Sequence, residues 1–176
     1  MEHDELENEI KLQIADVIIR LNLLEFRIKK ILSRYINSPK NDFIEEILLN
    51  NMMIPLATKI KLLTHIYSEN SKKNISKELN NAFHIVLNKR NGIAHSESLL
   101  DFWQDLEGVD FEYRKDAEPT MYGIFGDLQE PFIPLLENGK INHINFSKIV
   151  DDFNKYYEIC EDGLEEIEDQ LFPKIE

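Results

Sequence analysis

The chain is 176 residues long, 43% apolar and 30% charged, with a formal net charge of −13. That is one domain's length, with enough apolar material for a core of its own. A single cysteine, Cys160, rules out an internal disulfide and a cysteine-based zinc site, and the negative charge argues against a general nucleic-acid-coating protein.

No apolar run approaches membrane-spanning length. The start, Met1-Glu2-His3-Asp4-Glu5, is acidic and lacks the apolar segment of a signal peptide. A cytoplasmic protein is expected, with no membrane association and a single domain over 1–176. The charge is unevenly placed. Residues 1–98 hold 14 Lys/Arg against 13 Asp/Glu, whereas residues 99–176 hold 6 against 20. The acidic half reads first as a solvated surface that aids solubility. The sharper reading is that it repels stray polyanions or docks a basic partner.

In chain order, residues 5–36 predict one long helix. Ile10, Ile14, Val17, Leu21, Leu24, Ile28, Ile31 and Tyr35 alternate steps of four and three, a continuous apolar stripe. Leu12, Ile18, Ile19, Leu23, Phe26 and Leu32 widen it beyond one packing face. The helix is therefore either central to a bundle or shared between an intramolecular face and a dimer face. Asn37-Ser38-Pro39 ends it. Asp42 is placed to cap a short helix to about Leu49, with Glu45 as in a capping box. Pro55 suits the first turn of a helix over 55–67, with Leu56, Ile60, Leu63 and Ile66 on one face. Ser68–Asn74 reads as a loop.

A fourth helix is predicted from Ser76 to Asn91, with Leu79, Ala82, Phe83, Val86 and Leu87 inward. Residues 111–114 and 121–125 alternate as a β-hairpin would. Gly126 to Gly139, with Pro131 and Pro134, reads as a loop. Asn145 is placed to cap a last helix over 146–171. Ile149, Phe153, Tyr156, Tyr157, Cys160, Leu164, Ile167 and Leu171 recur along it at helical spacing. These apolar residues and the lone Trp103 predict that the acidic half packs rather than trails. The fold class is mainly α, an up-down helical bundle with a small hairpin-like insertion before the last helix.

The string Arg90-Asn91-Gly92-Ile93-Ala94-His95 at the end of the fourth helix carries the candidate chemistry. Arginine is a permanent cation whose planar fork fits phosphate. Histidine can give or take a proton near neutral pH. Phosphoryl transfer needs both. On a regular helix the two side chains point about 140° apart. Either the helix breaks near Asn91-Gly92, where glycine makes a break cheap, or the residues meet copies of themselves across a two-fold axis. The plain structural alternative is that Arg90 caps helix carbonyls and His95 is a loop histidine.

The string resembles the Arg-x(4–6)-His signature of the HEPN superfamily, small α-helical proteins that include many metal-independent ribonucleases of toxin–antitoxin and antiphage systems. A long first helix and the Lys59 to Leu63 segment extend the similarity over roughly residues 8–98, near the mannitol operon repressor-like branch. The resemblance implies an RNA substrate, no cofactor and no metal. It also implies a homodimer whose two motifs share a groove, and an antitoxin or nucleotidyltransferase-like partner. Arg90 would hold the scissile phosphate and His95 would act as general acid or base. Asn91 would orient the site and Lys59 would add phosphate attraction. A non-catalytic regulatory or protein-interaction module of the same fold is the alternative.

Other residues carry less. His65 and His84 read as surface or core-edge residues, and His143 has no partner at ligand spacing. Glu165, Glu166, Glu168 and Asp169 look like a solvated helix face. Gly123-x-x-Gly126 lacks the context of a phosphate loop. Glu25 sits in an apolar stretch of helix one as a candidate partner for Arg90 or His95.

Overall fold

In the computed structural model, residues 3–94, 132–137 and 140–173 are described. They form α1 (His3–Ile36), a short helical turn α2 (Asn41–Phe43) running into a π-helical segment (Ile44–Leu48), α3 (Leu56–Ser71) and α4 (Lys77–Ala94). Strands β1 (Phe132–Glu137) and β2 (Lys140–Asn145) and helix α5 (Phe146–Leu171) follow. The fold is mainly α. No described helix is long and apolar enough to cross a membrane.

The described helices follow the apolar periodicity closely. In α1, Ile10, Val17, Leu21, Leu24, Ile28 and Ile31 are buried and Ile14 is half-buried. Tyr35 departs from the expected stripe. It is exposed, and its hydroxyl accepts a hydrogen bond from Asn70 Nδ2 at 3.0 Å. Asn37 ends α1 in the left-handed region (φ 46°), its N–H reaching the Ser33 carbonyl at 3.1 Å. The helix expected over 55–67 instead spans Leu56–Ser71, with Pro55 in the capping position and Lys72 (φ 57°) closing it in the left-handed region. The polar run from Ser68 therefore extends α3 by a turn.

Asp42 does not cap the next segment. No side chain caps α2, and Glu45 is drawn inward instead. Lys30 Nζ donates to Glu45 Oε2 at 2.5 Å and Asn41 Nδ2 donates to Oε1 at 3.0 Å. The Lys30 ammonium, with the Ser33 hydroxyl and the Asn41 amide, holds the Glu45 carboxyl below its ordinary range against the opposing effect of burial. The wider π-helical turn accompanies this inward placement of Glu45.

The described residues divide into two compact units, 1–18 with 88–154 and 19–87 with 155–176. The first holds β1 and β2, which pair antiparallel from Phe132↔Asn145 to Glu137↔Lys140. Its buried side chains include Ile10, Val17, Ile93, Phe146, Ile149 and Phe153. Asn145 caps α5 as expected, its Oδ1 accepting from the Ser147 N–H at 3.1 Å. The hairpin expected over residues 111–125, like Trp103, lies outside the described residues. The segment expected as a loop up to Gly139 contains β1.

The second unit packs the later turns of α1 and α5 with α3 and α4. Its core includes Leu24, Ile28, Leu63, Phe83, Leu164 and Ile167. Arg27 ties α1 to α5 through Glu161 (3.0 Å) and Glu168 (3.4 Å). Helices α4 and α5 approach closely at Gly163, where an added Cβ would come within 2.5 Å of both Leu79 methyl groups. Cys160 is fully buried here, and burial, with the Glu161 carboxylate adding to it, pushes its thiol up to about 12. Native protein is accordingly expected to react with a disulfide reagent far more slowly than denatured protein does. Equal rates would show that Cys160 is reachable in the folded state.

Candidate functional site

Helix α4 delivers the candidate site in the first unit. Ser76 starts the helix, its Oγ accepting from the Leu79 N–H at 3.0 Å. Leu79, Ala82, Phe83 and Val86 then turn inward as their spacing demands, and Leu87 is half-buried. At the C-terminal end, Ile93 is buried and anchors the last turn. Lys89 is also buried, with its ammonium 3.1 Å from Asp152 Oδ2 on α5.

Arg90 is half-buried beside it. Its Nη1 donates to Asn91 Oδ1 at 3.1 Å. Its Nε is buried without a hydrogen-bond partner among the described residues. An unpaired buried donor costs about 1–3 kcal/mol and is uncommon in folded proteins. Of the five guanidinium N–H donors, one on Nη1 is thus tied to Asn91, and the buried one on Nε is unpaired. This is the fork that a carboxylate or phosphate oxygen pair engages.

The helix does not break at Asn91-Gly92. It runs unbroken to Ala94, with Gly92 half-buried inside it. The break that would have let Arg90 and His95 converge within one chain is absent up to that point. His95 lies outside the described residues. Of the sequence-predicted site residues, the structure brings Arg90 and Asn91 together at one helix end.

Lys59 lies in the second unit, on α3, and is fully buried. Its ammonium forms an ion pair with Glu25 and lies 3.3 Å from Asn51 Oδ1. Asn51 Nδ2 donates in turn to the other Glu25 oxygen at 2.5 Å. Glu25 thus pairs with Lys59 rather than with Arg90. Nothing in the residue pattern signals this triad, because its members stand 26 and 34 positions from Glu25. No group of three or more His, Cys, Asp or Glu among the described residues is placed to hold a metal ion.

No protein-family model, curated protein or solved structure matches the chain.

Proposed function

We propose that the protein is a metal-independent endoribonuclease of the HEPN type, acting as a toxin or antiphage component. The observation that carries the reading is the Arg90 guanidinium, with its buried and unsatisfied Nε, at the head of the Arg-Asn-Gly-Ile-Ala-His string. In this reading the Arg90 guanidinium grips the scissile phosphate and offsets charge developing on its oxygens. The ribose 2′-oxygen attacks phosphorus and the 5′-oxygen leaves. His95 moves the proton from the former or to the latter. The products are a 2′,3′-cyclic phosphate and a 5′-hydroxyl.

The unbroken helix to Ala94 favours the two-fold version of the site, in which two chains together furnish the groove. The surface of α1 supports such a homodimer. Leu12 in the first unit and Ile19, Leu23 and Phe26 in the second are 52–72% exposed. They recur at steps of seven, four and three, on the side of the helix away from the buried stripe. Leu23→Asp is expected to convert a dimer to a monomer in light scattering while keeping the helical circular-dichroism signal of the wild type. A mass that stays the same removes this face from the interface.

The regulatory alternative, a non-catalytic module of the same fold, draws on the acidic half of the chain, which RNA would feel as repulsion. The decisive experiment is induction of the wild type beside Arg90→Ala and His95→Ala in growing cells, with end analysis of cellular RNA. Growth arrest and cyclic phosphate ends from the wild type alone support the nuclease. No cleavage by any of the three gives the regulatory reading the lead.

A further inference from the structure

We propose that the cavity where the end of α3, the start of α4 and the later turns of α5 meet, in the second unit, binds an aliphatic diamine. The site is separate from the Arg90 reading and does not rest on it. Tyr67 of α3, Leu79 of α4 and Ile167 of α5 line the cavity and are themselves buried. Gly163 of α5 carries no side chain, which lets Leu79 lie close against that helix. The cavity measures about 510 Å³, within the range of small-molecule sites.

The first argument is charge brought in by two helices. Glu78 of α4 and Asp162 and Glu166 of α5 stand on the lining. Their side chains meet no hydrogen-bonding or ionic partner among the described residues. By contrast, Glu25, Glu45, Glu46, Asp152, Glu161 and Glu168 each meet a lysine or an arginine. Glu78 sits in the first turn of α4, where a carboxylate is favoured on its own account. The α5 pair has no such reason. Asp162 and Glu166 are four residues apart, so two like charges stand side by side on one helix face, which costs stability until a cation joins them.

The second argument is independent of the carboxylates. Tyr67 is 6% exposed, and its hydroxyl has no hydrogen-bonding partner among the described residues. Buried tyrosine hydroxyls are ordinarily paired. Among the described side chains, the unpaired atom fully sealed from solvent is Arg90 Nε. The Tyr67 oxygen is therefore reachable, and the cavity that its side chain lines is the opening. A hydroxyl and carboxylates without partners form a set of acceptors suited to a cation that only donates. Glu158 and Glu165, also on α5, are exposed and unpaired too, but they do not line this cavity.

The lining also selects the form of the cation. No group of three or more His, Cys, Asp or Glu among the described residues is placed to hold a metal ion, so the three carboxylates are spread too widely for one compact charge. Lys73, in the connection before α4, is the cation of the lining and meets no carboxylate among the described residues. Three carboxylates against one ammonium leave a net charge of −2, which a diamine protonated at both ends balances. Each ammonium has three donors and no acceptor, and the methylenes between them suit the apolar surface of Leu79 and Ile167.

Isothermal titration calorimetry of the full chain at constant pH and ionic strength tests this with three probes: 1,4-diaminobutane, butylamine and magnesium chloride. The diamine is expected to bind saturably at one site, about tenfold tighter than butylamine, the scale of one charge-assisted hydrogen bond. Asp162→Asn and Glu166→Gln should each weaken it about tenfold. Glu165→Gln removes the same charge from the same helix outside the cavity and should leave the affinity unchanged. Tyr67→Phe keeps the buried ring and should weaken the diamine about threefold, the scale of one neutral hydrogen bond. The other variants are near-isosteric changes of exposed side chains, so folding is not at stake. Four results would overturn the proposal: heats that never saturate, magnesium displacing the diamine at equal concentration, Glu165→Gln losing as much as Asp162→Asn, or Tyr67→Phe binding like the wild type.

Discussion

Purified protein is expected to cleave single-stranded RNA slowly in the presence of EDTA, leaving cyclic phosphate ends, and Arg90→Ala is expected to lose about 10²–10³-fold in rate. The magnitude follows from deleting one preorganised donor to a developing oxyanion. Arg90→Lys should recover only part of the loss. An ammonium supplies charge, but not the planar array of donors of a guanidinium. His95→Ala should lose about 10²–10⁴-fold, the usual worth of a positioned proton-transfer group. The unsatisfied Nε sharpens the expectation for Arg90. Removing a side chain that carries an unpaired buried donor relieves a cost instead of creating one. Arg90→Ala should therefore melt close to the wild type while its activity collapses. An Arg90→Ala protein that melts far below the wild type, beside a wild type that cleaves nothing, makes the arginine structural.

The helices were legible because their apolar positions repeat at the helical period, and a buried stripe enforces that period in the fold. Helix α5 shows it best. Its expected span, 146–171, and its Asn145 cap are both found. The β1–β2 pair was missed because Pro131 and Pro134 read as loop residues. Among the described residues β1 and β2 pair only with each other, so each is an edge strand and a proline without its N–H is tolerated at Pro134↔His143. The dipeptide Asn138-Gly139, a strong hairpin signal, was the clue that could have located the pair. At the site, Arg90 and Asn91 were legible as a motif. The partner of Lys59 was not, since a single sequence does not reveal which charges meet across tens of residues. The expected Asp42 cap failed for the same reason. Glu45 answered to Lys30 on another helix rather than to the local capping pattern.

Glu25→Gln is expected to destabilise the second unit by about 3–5 kcal/mol, more than any surface change in the protein. The Lys59 ammonium is fully buried, and Glu25 supplies its counter-charge. Removing one partner of a buried pair leaves the other charge uncompensated in a poor solvent, and that sets the magnitude. Asn51 Oδ1, at 3.3 Å, offers a dipole but no charge. At roughly 2–4 °C per kcal/mol for a chain of this size, the melting temperature should fall by about ten degrees. Lys59→Met should cost less. The orphaned carboxylate of Glu25 retains some solvent contact, with a side chain 15% exposed, and still accepts from Asn51 Nδ2. The double variant Glu25→Gln, Lys59→Met removes both charges of this pair and should regain much of the loss, because a buried pair is often worth little against a neutral replacement of similar volume. Thermal unfolding of the four proteins closes a double-mutant cycle, whose coupling energy isolates the pair. If Glu25→Gln melts within a degree or two of the wild type, the Lys59 ammonium has another source of compensation. In that case Glu25 is not what holds the lysine in place.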